Sequence, residues 1–492
     1  MAQFPMIIQG GMGVGISNWR LAQAVSMTGQ LGVVSGTALD QVLVRRLADG
    51  DPGGFVRRAL EAFPFPDLAR RLLGDYFVAG GKPAGTPYPT LPMYSHRPPR
   101  RRVELSIAAN FAEVWLARQG HSNSVGINFL EKVQLPHLAS IYGAMLAGAG
   151  WILMGAGIPI HIPGVLDAFA AGRAAEYKLS VSGSVAGEGE DATLRFDPAE
   201  YLEGPVPALT RPRFLAIVSS HVLAANLLRR STGKVDGFVV EGPTAGGHNA
   251  PPRGKMQLNE SGEPQYGIRD RVDLAEMREL GAPFWLAGGY SSQAKLAEAL
   301  TEGATGVQVG TAFAFSEESG LREDLKRTLL AEAAVGTGRI LTDPLASPTG
   351  FPFKVAQLAG TASDPVVYEE RARVCDLGFL REAYAEADGR IGYRCSADKV
   401  SCYVNKGGSA EAAVGRKCLC NALLANIGMA QIRPDGAIEP PLVTLGDDVN
   451  TVGRFLAPGS TSYSAADVVA KILGSCHTPE ELHSVAGAPL HS

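Results

Sequence analysis

FWLAGGYSSQAKLAEALTEGATGVQVGTAF, residues 284–313, compresses the architecture of the chain into one unit. Phe284–Ala287 is a short apolar run that stops at Gly288-Gly289. Ala294–Glu302 has helical character, and Gly306–Val309 is a second apolar run, stopping at Gly310-Thr311. Strands that are apolar along their whole length are buried on both faces, as in a parallel sheet covered by helices. Parallel neighbours need a crossover, and the helix supplies it. Working towards the N-terminus, the same unit recurs. The earlier apolar runs are Pro5–Gln9, Leu31–Ser35, Ser124–Asn128, Trp151–Met154, Phe214–Val218 and Gly237–Val240. Trp19–Thr28, Leu138–Ala147, Val222–Ser231 and Leu274–Leu280 read as helices between them. Eight strands alternating with helices predict an α/β fold, a (β/α)8 TIM barrel with insertions.

The barrel is expected to occupy residues 1–345. Two insertions interrupt it, at 40–123 and 173–212. The first contains helix-like Gly54–Ala62 and Pro66–Tyr76 and then a Pro-rich stretch to Arg102. The second carries the Tyr177–Ser182 alternation, a Gly-rich turn and Thr193–Phe196, which together suggest a hairpin or lid. Beyond about residue 345 the alternation ends, and residues 346–492 read as an extension packed on the barrel.

Composition narrows the function. The chain has 492 residues, 46% hydrophobic and 19% charged, with a net charge of −4. That balance offers no basic face for nucleic acid or an anionic membrane. Val133–Leu166 lacks Asp, Glu, Lys and Arg, but glycines and prolines break it, so it reads as buried helix, strand and loop rather than a membrane span. No secretory leader is legible at the N-terminus, and a cytoplasmic protein is expected. The 59 glycines exceed the usual share of about 7% and cluster after apolar runs, where a backbone can approach a ligand closely.

In a barrel of this type chemistry lies at the C-terminal ends of the strands, and phosphate commonly binds after strands seven and eight. Gly288, Gly289, Gly310 and Thr311 stand at those two places. Each turn alone is an ordinary turn, but together they offer backbone N–H groups and helix starts to a phosphate. The opening Gln9-Gly-Gly-Met-Gly-Val-Gly15 invites a dinucleotide reading, which fails: the last glycine of GxGxxG is replaced by Ile16 or Asn18, and Ser35-Gly36 stands where a ribose-binding acid belongs. Gly10, Gly11 and Met12 instead suggest a flat platform for a planar ring. Asn128, ending strand three, could hydrogen-bond a heterocycle. Phe238-Val-Val-Glu-Gly-Pro-Thr-Ala-Gly-Gly-His-Asn249 sets His248 beyond strand six beside Gly246 and Gly247, where it could donate a hydrogen bond or shuttle a proton.

Gln9–Met12, Gly126-Ile-Asn128, Val240–His248, Ala287-Gly288-Gly289 and Gly306–Thr311, in that order, resemble the nitronate monooxygenase (2-nitropropane dioxygenase) family. The flavin-dependent enoyl-acyl-carrier-protein reductases share this scaffold. The resemblance covers about residues 1–345 outside the insertions. It implies FMN, with Gly10, Gly11, Met12 and Asn128 along the isoalloxazine, Gln308 nearby, and Gly288, Gly289, Gly310 and Thr311 on the phosphate. His248 corresponds to the family's active-site histidine. The implied reaction is oxidation of alkyl nitronates with dioxygen. The length, the insertions and the extension look more like the long enoyl reductases of polyunsaturated fatty acid and polyketide synthesis, which use NAD(P)H on an enoyl thioester. A non-catalytic flavin-binding subunit of a synthase complex and a non-flavin phosphate-sugar barrel are the remaining alternatives. The substrate is accordingly a small molecule or an acyl thioester.

Cys375, Cys395, Cys402, Cys418, Cys420 and Cys476 all fall in the extension. Their spacing matches no zinc ribbon or ferredoxin run, so core thiols are set against a metal or iron–sulfur site. Arg97-Pro-Pro-Arg-Arg-Arg102 is a dense basic run, read either as a solvated loop or as a dock for an acidic partner such as an acyl carrier protein.

Overall fold

A computed structural model describes residues 4–183 and 193–474. Eight parallel strands are present: β1 Ile7–Gln9, β2 Gly32–Ser35, β3 Val125–Leu130, β4 Trp151–Gly155, β5 Arg213–Val218, β6 Gly237–Glu241, β7 Phe284–Ala287 and β8 Gly306–Val309. They pair in the order β1-β8-β7-β6-β5-β4-β3-β2. A parallel bridge from Ile8 to Leu31 closes the ring, with Gln9 N donating to Leu31 O at 2.9 Å. The chain is therefore a (β/α)8 barrel. Each strand falls within a residue or two of the run that foretold it. The helices Trp19–Met27, His137–Leu146, His221–Arg230, Leu274–Glu279 and Gln293–Thr301 do the same.

Strand alternation explains the packing. Ile8, Val33, Leu153, Leu215, Val239 and Trp285 point into the barrel and form a core of their own. Trp151 and Trp285 meet edge to face at 6.0 Å, and Phe4 packs on both at 6.1 and 5.7 Å. Such pairs add about 0.5–1.5 kcal/mol each beyond the area they bury. Trp285 Nε1 donates to Pro5 O at 2.8 Å, so its one polar atom is satisfied. This plug closes the N-terminal end of the barrel and leaves the opposite mouth for ligands.

The first insertion folds as helices Leu39–Ala48, Phe55–Glu61 and Pro66–Tyr76, followed by Arg100–Ala117, which is buried along nearly its whole length. The basic run therefore is not a solvated loop throughout. Arg102 pairs with Asp40 at 2.9 Å with both side chains buried, Arg100 pairs with Glu104 at 2.7 Å, and Arg101 reaches Asp75 at 3.5 Å. In the second insertion Ala175–Lys178 pairs antiparallel with Thr193–Phe196, so the hairpin starts before the expected Tyr177–Ser182 alternation; residues 184–192 of its connection lie outside the described residues. Val181–Ser182 joins Glu382–Ala385, so this insertion and the extension share a small sheet. The charge-free stretch is helix, strand and helix, and among the described residues no helix is long and apolar enough to cross a membrane.

The extension wraps the C-terminal mouth. Ile340–Asp343 and Phe353–Ala356 form an antiparallel pair, and Ala356 N donates to Val443 O at 2.9 Å. Cys375, Cys395, Cys418 and Cys420 pack into one small cluster of free thiols. A hydrogen bond of the protonated Cys375 thiol to its neighbour Cys395 pushes the Cys375 thiol up, and burial pushes Cys418 up to about 11. Among the described residues no group of three or more Cys, His, Asp or Glu side chains is disposed to hold a metal. Cys402 is exposed, and Cys476 lies outside the described residues.

Candidate functional site

A cleft of about 1430 Å³, counted to its open mouth, lies over the C-terminal ends of the strands. Gly10, Gly11, Met12, Asn128, Gly246, Gly247, His248, Gly288, Gly289, Gln308, Gly310 and Thr311 all line it, so the fold brings together every residue expected from the sequence to be catalytic or to bind a cofactor.

The loop after β1 is held rigid by one hydroxyl. Ser17 Oγ accepts from Met12 N and donates to Gly10 O, both at 2.9 Å, and accepts from Gln9 Nε2 at 2.8 Å. Gly11 backs directly onto Asn128, whose side chain a β-carbon at position 11 would strike. The missing side chain is what lets the two loops meet beneath the cleft. Asn128 is only 8% exposed, and among the described residues its side-chain amide has no hydrogen-bond partner.

On the far side, Gly288 has φ +94°, and a β-carbon there would meet Thr244 Oγ1 at 2.7 Å; Gly289, at φ +81°, faces open space. The helix Gln293–Thr301 follows, capped by Ser292, whose Oγ accepts from Lys295 N at 3.3 Å. Ser291 does not cap it; its hydroxyl donates to Asp448 at 3.0 Å and accepts from Arg454 at 2.5 Å. After β8 only one helical turn forms, Thr311–Ala314. Thr311 Oγ1 accepts from Gly446 N at 3.0 Å, which fixes that loop to the extension.

The loop carrying His248 is clasped from both sides by the extension. Lys354 N donates to Gly247 O, and Asn249 N to Pro352 O, both at 2.9 Å; Gly247 N donates to Thr444 Oγ1 at 2.9 Å and Asp447 N to Thr244 O at 3.0 Å. Lys354 in turn holds Asp447 through both carboxylate oxygens at 2.6 and 2.7 Å. The imidazole stacks edge-on against Phe353 at 4.8 Å, and its Nε2 lies 2.7 Å from Ser347 Oγ. Burial lowers the His248 pKa to about 4, so the ring is neutral near pH 7. Nδ1 is the ring nitrogen left for a ligand.

Glu241, the last residue of β6, was not singled out in the sequence although it stands inside the quoted motif. It lines the cleft, no cation pairs with it among the described residues, and burial raises its carboxyl to about 8. Near pH 7 it is a proton-bearing acid lining the same cleft as a neutral imidazole, the divergence of values that marks acid–base sites. A lone carboxylate ending an otherwise apolar barrel strand was the signal available. Asp448, Cys420, Phe379 and Leu445 also line the cleft, and their distance in sequence concealed them. Ala38 and Ala156, at φ 56° and 55°, line it too. Left-handed backbone at alanine is strained, and such strain concentrates at functional sites.

A (β/α)8 barrel with a large cleft at its C-terminal face is thus defined. Residues 208–342, from before β5 to beyond β8, match the nitronate monooxygenase family model. A curated nitronate monooxygenase of Paraburkholderia phytofirmans (strain DSM 17436 / LMG 22146 / PsJN) is 31% identical over 166 residues, covering 32% of this chain and 42% of that protein. The chain thus spans less than half the length of this curated relative. Among solved structures, FabK from Thermotoga maritima aligns with a TM-score of 0.46 at 14% identity, covering 98% of this chain and 93% of that one. Nitroalkane oxidase from Streptomyces ansochromogenes aligns with a TM-score of 0.45 at 15% identity, covering 98% and 97%.

Proposed function

We propose that this protein is an FMN-dependent oxidoreductase whose barrel spans residues 1–345 and whose reaction runs beside His248 and Glu241. The observation that carries this reading is the convergence of the family-matching glycine loops and the two proton-bearing side chains on one cleft. The cleft suits a flavin in its make-up. Gly247 and Gly289, both at positive φ, present bare backbone to open space, and the Gly10–Met12 segment is pinned by Ser17. Gly288, Gly289, Gly310 and Thr311 would hold the phosphate, and Gly10, Gly11, Met12, Asn128 and Gln308 the ring. Asp448 would face ribityl hydroxyls, since its charge opposes a phosphate.

FMN, when bound, supplies the electron-transfer chemistry. The chain's own part is to bind, orient and protonate. His248 Nδ1 contacts the polar head of the substrate while Ser347 fixes the ring. Glu241 holds a proton at its carboxyl within the same walls. The family match at 208–342 favours oxidation of alkyl nitronates with dioxygen. A second reading, NAD(P)H-dependent reduction of an enoyl thioester, is favoured by a second cleft that opens on the same two residues and leaves room beside them for a larger substrate. A carrier protein as thioester donor belongs to that reading.

The test is the visible spectrum of the purified protein, then anaerobic reduction by an alkyl nitronate, NADH and NADPH separately. A flavin spectrum bleached by the nitronate alone supports the oxygenase; bleaching by a nicotinamide, reversed by an enoyl thioester, supports the reductase. A colourless protein that takes up no FMN overturns both. His248→Ala should retain flavin and lose about 10²- to 10⁴-fold in turnover, the usual range for a proton-transfer group. Turnover within a few-fold of the parent would remove His248 from the reaction.

A further inference from the structure

A second cleft, about 870 Å³ counted to its mouth, opens at the ends of β4, β5 and β6. At its inner end are Glu241 and His248, which it shares with the first cleft. Its lining also includes Arg253, an exposed residue of the long loop that follows β6. We infer that Arg253 and its neighbour Arg269 form an anion-binding rim for the phosphates of a nucleotide co-substrate, whose reactive end reaches Glu241 and His248. The ligand class is an adenosine diphosphate bearing a further ribose phosphate, the part that NADPH and coenzyme A thioesters share. The inference deepens the proposed function and rests on it only for what happens at the inner end.

Unpaired charge carries the argument. Among the described residues, the side chains of Arg253, Lys255, Arg269 and Arg271 form no ion pair. The acids of the same loop are largely engaged elsewhere. Asp270 accepts from the backbone N of Arg253 and of Gly267, both at 2.7 Å, Glu263 accepts from Thr342 N at 2.8 Å, and Asp273 caps the next helix; Glu260 is exposed. Cations thus accumulate on one loop of a chain whose net charge is −4. The same fold brings Arg253 and Arg269 together. Arg269 Nη2 donates to Arg253 O at 3.5 Å and lies 3.3 Å from where a β-carbon on Gly254 would stand. The planar guanidinium fork binds phosphate oxygens in pairs, which suits arginine to this task. Among the cleft's other titratable groups, Glu241 and His248 are uncharged near pH 7, and the Asp270 carboxylate is held by its two backbone donors. The Ser219 hydroxyl, also in the lining, has no protein partner among the described residues and offers a further polar contact on the way in. Tyr266 and Phe351 add aromatic surface, which suits a purine. A cationic rim, aromatic walls and a reacting inner end fit a co-substrate with phosphates at one end and its reactive group at the other, not a compact neutral molecule.

The test is calorimetry of the full-length, flavin-loaded protein with adenosine 2′,5′-bisphosphate, adenosine 3′,5′-bisphosphate and adenosine. At least one bisphosphate should bind, adenosine should not, and added salt should weaken the bisphosphate. Arg253→Ala and Arg269→Ala should each lower its affinity about tenfold to a hundredfold, the range for a charge-assisted hydrogen bond, with the flavin spectrum unchanged. Arg390→Ala, which removes an exposed cation of the extension, should leave that affinity unaltered. Preference for the 2′-phosphate assigns the rim to a nicotinamide, and preference for the 3′-phosphate to a coenzyme A thioester. Bisphosphates that bind no better than adenosine, or that keep full affinity in both arginine variants, overturn the inference. Polyglutamate bound as tightly as the bisphosphates would make the rim a surface for acidic proteins and overturn it too. Bisphosphate binding that depends on Arg253, in a protein that takes up no FMN, would sustain the rim and sink the flavin reading.

Discussion

Glu241 and His248 line one cleft, and burial moves their pKa values in opposite directions. Burial drives the carboxyl up to about 8 and the imidazole down to about 4. Both are uncharged between those values, and kcat/KM is expected to be level there. It should fall as pH rises through about 8, where Glu241 loses its proton, and Glu241→Gln should abolish that fall while lowering the plateau. A pH profile unchanged in the variant would dissociate Glu241 from the chemistry. The same group leaves a mark on folding. Its folded value is raised, so the stability it contributes is full below the unfolded value near 4.5 and is lost as pH climbs towards 8. Glu241→Gln should therefore gain melting temperature relative to the parent at pH 8 and gain little at pH 5. His248 works in the opposite direction: its depressed value removes stability as pH falls from about 6.5 towards 4.

At the scale of elements, the first insertion is anchored by charge rather than left to float. Arg102 opens the helix Arg100–Ala117, and Asp40 opens Leu39–Ala48; their buried pair at 2.9 Å ties the helix preceding β3 to the one following β2. Tyr94 stacks on the Arg102 guanidinium at 4.7 Å, adding a cation–π contact. Asp40→Ala leaves a buried guanidinium uncompensated and should cost about 3–5 kcal/mol in urea unfolding. Arg101→Ala, one residue away in sequence but 79% exposed in its side chain and 3.5 Å from Asp75, should cost less than about 1 kcal/mol. Equal losses in the two variants would contradict the burial of the first pair.

For the whole molecule, the extension and the barrel build one cleft between them. Phe353, Phe379, Leu419, Cys420, Leu445 and Asp448 line it alongside the glycine loops. The His248 loop is bonded on one side to residues 352–354 and on the other to 444–447. A chain ended after residue 345 should therefore lose flavin binding, measured by absorbance after reconstitution. Retention of FMN at parental affinity would show the barrel alone to be sufficient. Loss of FMN with the barrel's far-ultraviolet dichroism intact would place the defect in the cleft walls.

What the sequence determined by itself follows from local physics. Apolar runs such as Phe284–Ala287 and Gly306–Val309 declare their strands because a buried parallel strand must be apolar on both faces. Gly288-Gly289 and Gly310-Thr311 declare their turns because backbone in that geometry excludes side chains. These signals lie within a few residues, so the barrel, its insertions and the twelve cleft residues were legible before any coordinates. Tertiary structure alone decided the rest. That Arg102 is buried depends on Asp40, that Ser291 serves Asp448 instead of capping its own helix depends on the extension, and that Glu241 keeps a proton depends on walls contributed by distant loops. Charge state and burial are properties of the surroundings, and the surroundings of these residues assemble only when segments separated by tens to hundreds of positions fold onto one another.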